Sequence, residues 1–159
     1  LLTLSLEPYL EHSASSVPWD EDGWPLASTP LIQQGRLLGW WGPLRWCHYL
    51  GCPPTGRLPN VRILPGSRGL PALRQGGCLE AAVFSDFQCD VLTGDFAGEL
   101  RLGIWHGPDG GSQPVTGGSL SGRLPELAGT MRLSAELQRL NGYEGPAGVR
   151  LASAAVSGG

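Results

Sequence analysis

Between Phe87 and Glu99 the chain sets Cys89, Asp90, Asp95 and Glu99 among two glycines, Gly94 and Gly98. Such side chains could hold a divalent cation, cradle a phosphate, or do no more than turn a hairpin. A calcium loop of the EF-hand kind takes oxygen ligands at alternate positions around a central glycine and closes on a bidentate glutamate. Asp90 and Asp95 are separated by Val-Leu-Thr-Gly, which breaks that spacing. The order predicts instead a tight turn at Thr93-Gly94-Asp95, with the aspartates hydrogen-bonded to local backbone. The glycine-rich "GPDGGSQPVTGG" (107–118) lacks the Gly-Lys-Ser/Thr ending of a phosphate loop and reads as a loop tip.

Nucleophilic chemistry fares no better. "GGSLSG" (117–122) approaches a G-x-S-x-G elbow, but Ser119 has Ser121 where the second glycine should stand, and Ser121 is followed two residues later by Arg123, whereas the strained strand-to-helix turn requires glycine on both sides. Cys47 and Cys52 enclose four residues, His48 among them, which is not a C-x-x-C knuckle, and no second pair completes a zinc ribbon. His12 and His106 stand apart from any such pair. Ordinary thiols and a partly exposed histidine are the expectation.

Composition narrows the field further. All eleven basic residues are arginine, so a Schiff-base lysine, a phosphate-loop lysine and a Ser–Lys dyad are excluded. A formal charge of −3 argues against a nucleic-acid partner. The longest apolar stretch, "LLGWWGPL", is too short to cross a bilayer, and no secretory signal opens the chain. The four cysteines are therefore expected to be reduced, in a cytoplasmic protein. Leu1 opens the chain without methionine, already in strand-like sequence, as a fragment of a longer protein would. Six tryptophans are present, five of them between Trp19 and Trp46. Tryptophan favours core and interface alike. Trp40 and Trp41, if on a strand, point to opposite faces, so one of them is expected to face away from the core. Trp19, Trp24, Trp40 and Trp41 thus form the candidate partner or substrate surface.

The elements that must position these residues are mostly short strands, because 25 glycines and 14 prolines punctuate the chain. "LTLSLE" alternates, and "DEDGWP" reads as a turn through Asp22-Gly23. "TPLIQQGRLLGWW" reads as a hairpin about Gln34-Gly35. Pro43 and Gly51 bracket a short helix, and "SRGLPALRQG" is a second. "NVRILPG" and "CLEAAVFSD" are strands. In "ELRLGIW", Leu100, Leu102 and Ile104 fall on one face. "RLPELAGTMRLSAELQRL" is expected to hold the longest helix, although Gly129 weakens it, and "GVRLASAAVSG" to close the sheet.

Six stretches in order resemble the C-terminal half of the TldD/PmbA family. They are "DEDGWPLASTPLIQQGRLLGWW", "LRWCHYLGCPPTGR" (with Arg57 where the family has asparagine), "NVRILPGS", "FQCDVLTGDFAGELRLGIW", "PVTGGSLSGRLPELAGTM" and "GPAGVRLASAAVSGG". The resemblance implies one domain over residues 1–159, mainly β (β-rich α+β). It would be a barrel-like or sandwiched antiparallel sheet with two or three short helices. It assigns Asp90, Thr93, Gly94 and Asp95 to a structural hairpin. Family members include zinc metallopeptidases acting on peptides and partly unfolded proteins, as a dimer of a metal-binding and a metal-free subunit. Some are named modulators of DNA gyrase or peptide-maturation proteins. Their zinc sits on an H-E-x-x-x-H helix in the N-terminal half and on a cysteine near the chain's end. This chain has no such helix motif, and "RLNGYEGPAG", with Tyr143 and Glu144, lies where the cysteine would fall. Either the N-terminal metal-binding half is missing or the subunit is the metal-free type. The chain is thus expected to hold no zinc or other cofactor and to be non-catalytic alone. It would join a homo- or hetero-dimer, contributing subunit contacts and a peptide-holding surface. The alternative is a stand-alone β-barrel binding module.

Overall fold

The computed structural model describes residues 1–158. In chain order the elements begin with β1 (Leu4–Glu7), β2 (Thr29–Gln33), β3 (Arg36–Leu37), α1 (Leu44–Leu50) and β4 (Asn60–Ile63). They continue with α2 (Leu70–Arg74), β5 (Cys78–Cys89), β6 (Asp95–His106), β7 (Ser112–Val115), β8 (Ser119–Arg123) and α3 (Leu124–Leu127). The last are β9 (Arg132–Leu133), β10 (Leu137–Leu140), β11 (Tyr143–Pro146), β12 (Val149–Arg150) and β13 (Ala155–Ser157). The fold is mainly β, as expected. The chain gathers into two compact units, one of Leu1–Ser67 with Ser134–Ala147, the other of Arg68–Leu133 with the residues from Gly148 onward.

The first unit is built on a six-stranded sheet in the order β10-β11-β4-β1-β2-β3. Its pairs are antiparallel except β11 with β4, which run parallel. The β2–β3 hairpin turns at Gln34-Gly35, whose φ angles of 48° and 79° suit a two-residue turn matched to strand twist. Leu6, Leu10, Cys47 and Leu58 form its apolar core, and four polar residues, Glu7, Ser13, Asn60 and Ser134, are buried with them. Asn60 is wholly buried. Its amide nitrogen donates to the Glu7 carbonyl at 3.1 Å, and its oxygen accepts from Ser13 Oγ at 2.6 Å. Ser13 Oγ also meets Asn141 Oδ1 at 3.2 Å and accepts from the Gly142 N–H at 3.1 Å. Asn141 in turn accepts from the Ala14 N–H at 2.9 Å.

The second unit holds a five-stranded sheet: β13-β8-β6-β5 in order, with β7 also on β6. Long β5 and β6 pair with register shifts between Ala81 and Asp86. Phe84 and Phe87 lie with ring centroids 5.1 Å apart, and Phe87 and Phe96 stack at 6.0 Å. Phe87 faces Gly98 across the β5–β6 ladder. A Cβ built on Gly98 would stand 2.7 Å from both Phe84 and Phe87, and one on Gly122 would stand 2.9 Å from Phe96.

Four expectations need correction. Neither large sheet closes into a barrel: β12 leaves to pair with β9, and β13 stands at the edge of β8. The longest helix of the sequence reading shrinks to α3 and one 3-10 turn at Ala128–Thr130, where Thr130 Oγ1 donates to the Leu127 carbonyl. The rest of that stretch is β9 and β10, because Asn141-Gly142 folds β10 onto β11 and the sheet overrides helix propensity. Leu100 is buried but Leu102 is 44% exposed, since the bulged pairing shifts the alternation and Gly103 is buried in its place. Trp40 and Trp41 lie beyond β3, outside any strand, and both are about half exposed.

Among the described residues, every buried side-chain polar atom has a hydrogen-bond partner. Replacing Asn60 by alanine leaves the Glu7 carbonyl and Ser13 short of theirs. Asn60→Ala is expected to lower stability by roughly 2 kcal/mol. A urea-denaturation midpoint equal to wild type would refute this.

Candidate functional site

The acidic turn is held at its first residue. Asp20 Oδ1 accepts from the Asp22 and Trp24 N–H groups at 3.0 and 2.9 Å, and Oδ2 accepts from the Arg57 N–H at 3.1 Å. Desolvation pushes the Asp20 carboxyl up, but the backbone donors of Trp24, Arg57 and Asp22 outweigh it and hold the group below the usual aspartate range. The turn residue Gly23 has φ 75° and donates to the Asp20 carbonyl at 3.0 Å. Gly56, also at positive φ, packs so tightly that a Cβ there would collide with Leu26 and touch Trp24 at 3.0 Å. One carboxylate therefore stitches the acidic turn to the "PPTGR" loop.

Beside this stitch lies a concavity of about 630 Å³, lined by Trp19, Glu21, Trp41, Arg57, Leu58 and Pro59 among others. The structure brings Trp19 and Trp41 to it and leaves Trp40 off its lining. Trp24 packs at Gly56, only partly exposed. The Arg57–Glu21 pair at 3.1 Å is exposed on both sides, so it orients more than it stabilises. On α1, Arg45 stacks 4.8 Å over the Trp46 ring, and Trp46 meets Tyr49 edge-on at 6.2 Å.

The hairpin residues are engaged locally. Asp90 Oδ1 accepts from the Leu92 and Thr93 N–H groups at 2.8 and 3.1 Å, and Gly94 N–H donates to the Asp90 carbonyl at 2.8 Å. Thr93 Oγ1 donates to Asp95 Oδ2 at 2.7 Å. The turn carries Val91 and Leu92 at its tip, 92% and 93% exposed.

Two ion clusters went unread in the sequence. Glu80 takes a two-pronged grip from Arg74, at 2.9 and 2.8 Å, and a third contact from His106 at 2.7 Å. The Arg74 hydrogen bonds dominate and hold the Glu80 carboxyl low against its partial burial. Glu144, on β11, is held between Arg62 at 2.9 Å and Arg139 at 3.1 Å. Desolvation raises its carboxyl, but hydrogen bonds from Arg139 and Arg62 prevail, so it ionises below the ordinary 4.5. Only the cross-strand register, Arg139 opposite Glu144 and Glu144 beside Arg62, makes that cluster, and register is hard to read from sequence.

The family of PmbA/TldA metallopeptidase C-terminal domains matches residues 1–158. The chain belongs to the PmbA/TldD family. Solved structures share the fold of this C-terminal domain. TldE from Thermococcus kodakarensis superposes with a TM-score of 0.81 at 18% identity, covering 99% of this chain and 40% of its own. A protein described as a candidate modulator of DNA gyrase from Thermotoga maritima gives 0.80 at 19% identity, covering 98% and 38%. Another so described, from Bacteroides thetaiotaomicron, gives 0.81 at 20% identity, covering 99% and 36%. The domain thus spans two fifths or less of the length of these proteins, and identities this low speak for fold alone. No curated protein matches the sequence.

Zinc is the metal this family implies, and the residues of the C-terminal domain do not fit it. Glu144, in the neighbourhood of the expected cysteine, has its two oxygens occupied by guanidinium groups. His12 Nε2 contacts the Tyr143 carbonyl at 3.1 Å, and His106 is engaged by Glu80. Among the described residues, no three histidine, cysteine or carboxylate side chains converge as a metal site.

A carboxylate with a depressed folded-state pKa adds stability above its unfolded-state value, and that stability is lost as pH falls through the folded value. Stability of the domain is therefore expected to fall as pH drops below 4.5, the ordinary glutamate value. Glu144→Gln should lose about 1 kcal/mol at neutral pH and show a shallower acid decline. Parallel pH curves for the two proteins in chemical denaturation would contradict this role.

Proposed function

We propose that the domain is the non-catalytic β half of a TldD/PmbA-type protein. It contributes contacts to a family subunit and helps to hold a peptide or unfolded segment. Zinc-dependent peptide hydrolysis and processing belong to residues outside this chain. The observation that carries the reading is the aromatic concavity, where Trp19 and Trp41 stand half exposed beside Glu21. Large half-exposed aromatic rings anchor interfaces because they bury much area at small entropic cost. Exposed apolar residues of the segment around Trp41, namely Leu37, Leu38, Trp40, Trp46 and Tyr49, support a covered surface on the same unit. The engagement of Glu144 by two arginines, of His12 by the Tyr143 carbonyl and of His106 by Glu80 favours the accessory role.

A cytoplasmic location goes with this reading. Among the described residues no helix is long and apolar enough to cross a membrane.

The test is reconstitution. Mixed with a metal-binding subunit of the family, the domain should co-elute with it in size-exclusion chromatography. Trp41→Asp should weaken the association at least about tenfold, as loss of an interface anchor does. The domain alone should cleave no peptide. Chelator-sensitive cleavage by the isolated domain, with zinc bound in stoichiometric amount, would overturn the proposal, and so would failure to associate with any family subunit.

A further inference from the structure

Helix α1 ends on Gly51, whose backbone is left-handed at φ 66° and ψ 29°. The Gly51 N–H donates to the His48 carbonyl at 3.2 Å, and the Cys52 N–H to the Cys47 carbonyl at 3.0 Å. These two bonds define a Schellman cap. Such a cap brings the side chain just past the glycine against the one a turn earlier, commonly as an apolar pair. Here both positions are cysteine. The Cys52 thiol turns back on Cys47, 3.6 Å from its carbonyl oxygen.

The two thiols differ in access. Cys47 is buried, 4% exposed, with its thiol directed at the Gly42 carbonyl at 3.7 Å, while Cys52 is partly exposed. The Cys78 and Cys89 thiols lie 3.8 and 3.9 Å from the Arg74 and Asp90 carbonyls. A disulfide needs Cβ atoms that converge on a backbone already close. The cap brings the Cys52 N–H and thiol to the Cys47 carbonyl, so the two backbones are already close.

We propose that Cys47 and Cys52 form a thiol–disulfide exchange site at the end of α1, oxidised by a low-molecular-weight disulfide and reduced by the corresponding thiol. The Cys52 thiolate attacks one sulfur of the small disulfide, forms a mixed disulfide and releases the first small thiolate. Cys47 then attacks the Cys52 sulfur, the Cys47–Cys52 bond forms and the second small thiolate leaves. Two electrons pass from the protein thiols to the small disulfide, and the two protein protons end on the two released thiols. The reverse exchange restores both cysteines. Burial, and then the neighbouring Cys47, push the Cys52 thiol above its ordinary value, so exchange accelerates as pH rises. The crosslink would span Gly51 and fix the end of the helix that presents Trp46 and Tyr49. It does not depend on the function proposed above.

The experiment uses the full chain with Cys78→Ser and Cys89→Ser, incubated with glutathione disulfide and glutathione over a range of ratios, then acid-quenched and alkylated. Intact mass should show both remaining thiols lost together without retained glutathione, and peptide mapping should join Cys47 to Cys52. Adding Cys47→Ser should trap glutathione on Cys52. Mapping of the wild-type chain, in which the same pair should be joined, guards against misfolding of the variants. Glutathione persisting on Cys52 while Cys47 is present, a crosslink that maps to another pair, or two free thiols in the folded chain at the most oxidising ratio would each overturn the proposal.

Discussion

The first unit depends on one buried amide. Asn60 opens β4, the strand between β1 and β11, and has no contact with solvent. Its two hydrogen bonds run to Glu7 on β1 and to Ser13 in the loop that follows. Through Ser13 they reach the Asn141-Gly142 turn that joins β10 to β11. Segments separated by more than a hundred residues are thereby held against one strand. An amide serves here because it donates and accepts at once, and because each of its polar atoms would be costly to bury unpaired. With four polar residues buried beside a handful of apolar ones in this unit, the polar network fixes which strands pair. The few leucines add most of the non-directional attraction.

Carboxylates within each unit are engaged in a similar way. Asp20, Glu80 and Glu144 are each committed to backbone N–H groups or to arginine. A carboxylate so engaged stays ionised and keeps its position, which suits a scaffold. Its oxygens already accept hydrogen bonds, which disfavours a metal, and it has no proton to give for general acid work near neutral pH. What remains accessible is aromatic: Trp19 and Trp41 in the concavity, and Trp46 with Tyr49 on α1. Membership of a metallopeptidase family and a surface of this kind are compatible when the domain positions and another part of the assembly reacts.

Local punctuation made several elements legible from sequence. Gln34-Gly35 announced its hairpin, Gly51 the end of α1, and Asp22-Gly23 the acidic turn, because each depends only on backbone preferences of adjacent residues. The β10–β11 hairpin was hidden by leucines spaced much as on a helix face. Yet Asn141-Gly142 is itself a strong hairpin signal, and it outweighs that spacing once a sheet edge is present. The exposure of Leu102 could not be foreseen, since a bulge depends on the partner strand. For the site, the tryptophan-rich segment was visible as composition. Which rings share a concavity was not, because Trp41 reaches it from irregular chain beyond β3. The closeness of Cys52 to the Cys47 carbonyl follows from the geometry of a helix cap rather than from any metal-ligand spacing, so a search by motif passes over it.

The aromatic cluster of the second unit fills space that its neighbours' own side chains leave vacant. Phe87 lies over Gly98, and Phe96 crowds Gly122, so a single added carbon would meet a ring edge-on in either strand. In such a sheet a side chain added at either bare position would force the rings above it to shift. Drift in β6 and β8 is thus confined by two residues that contribute no side-chain atoms of their own.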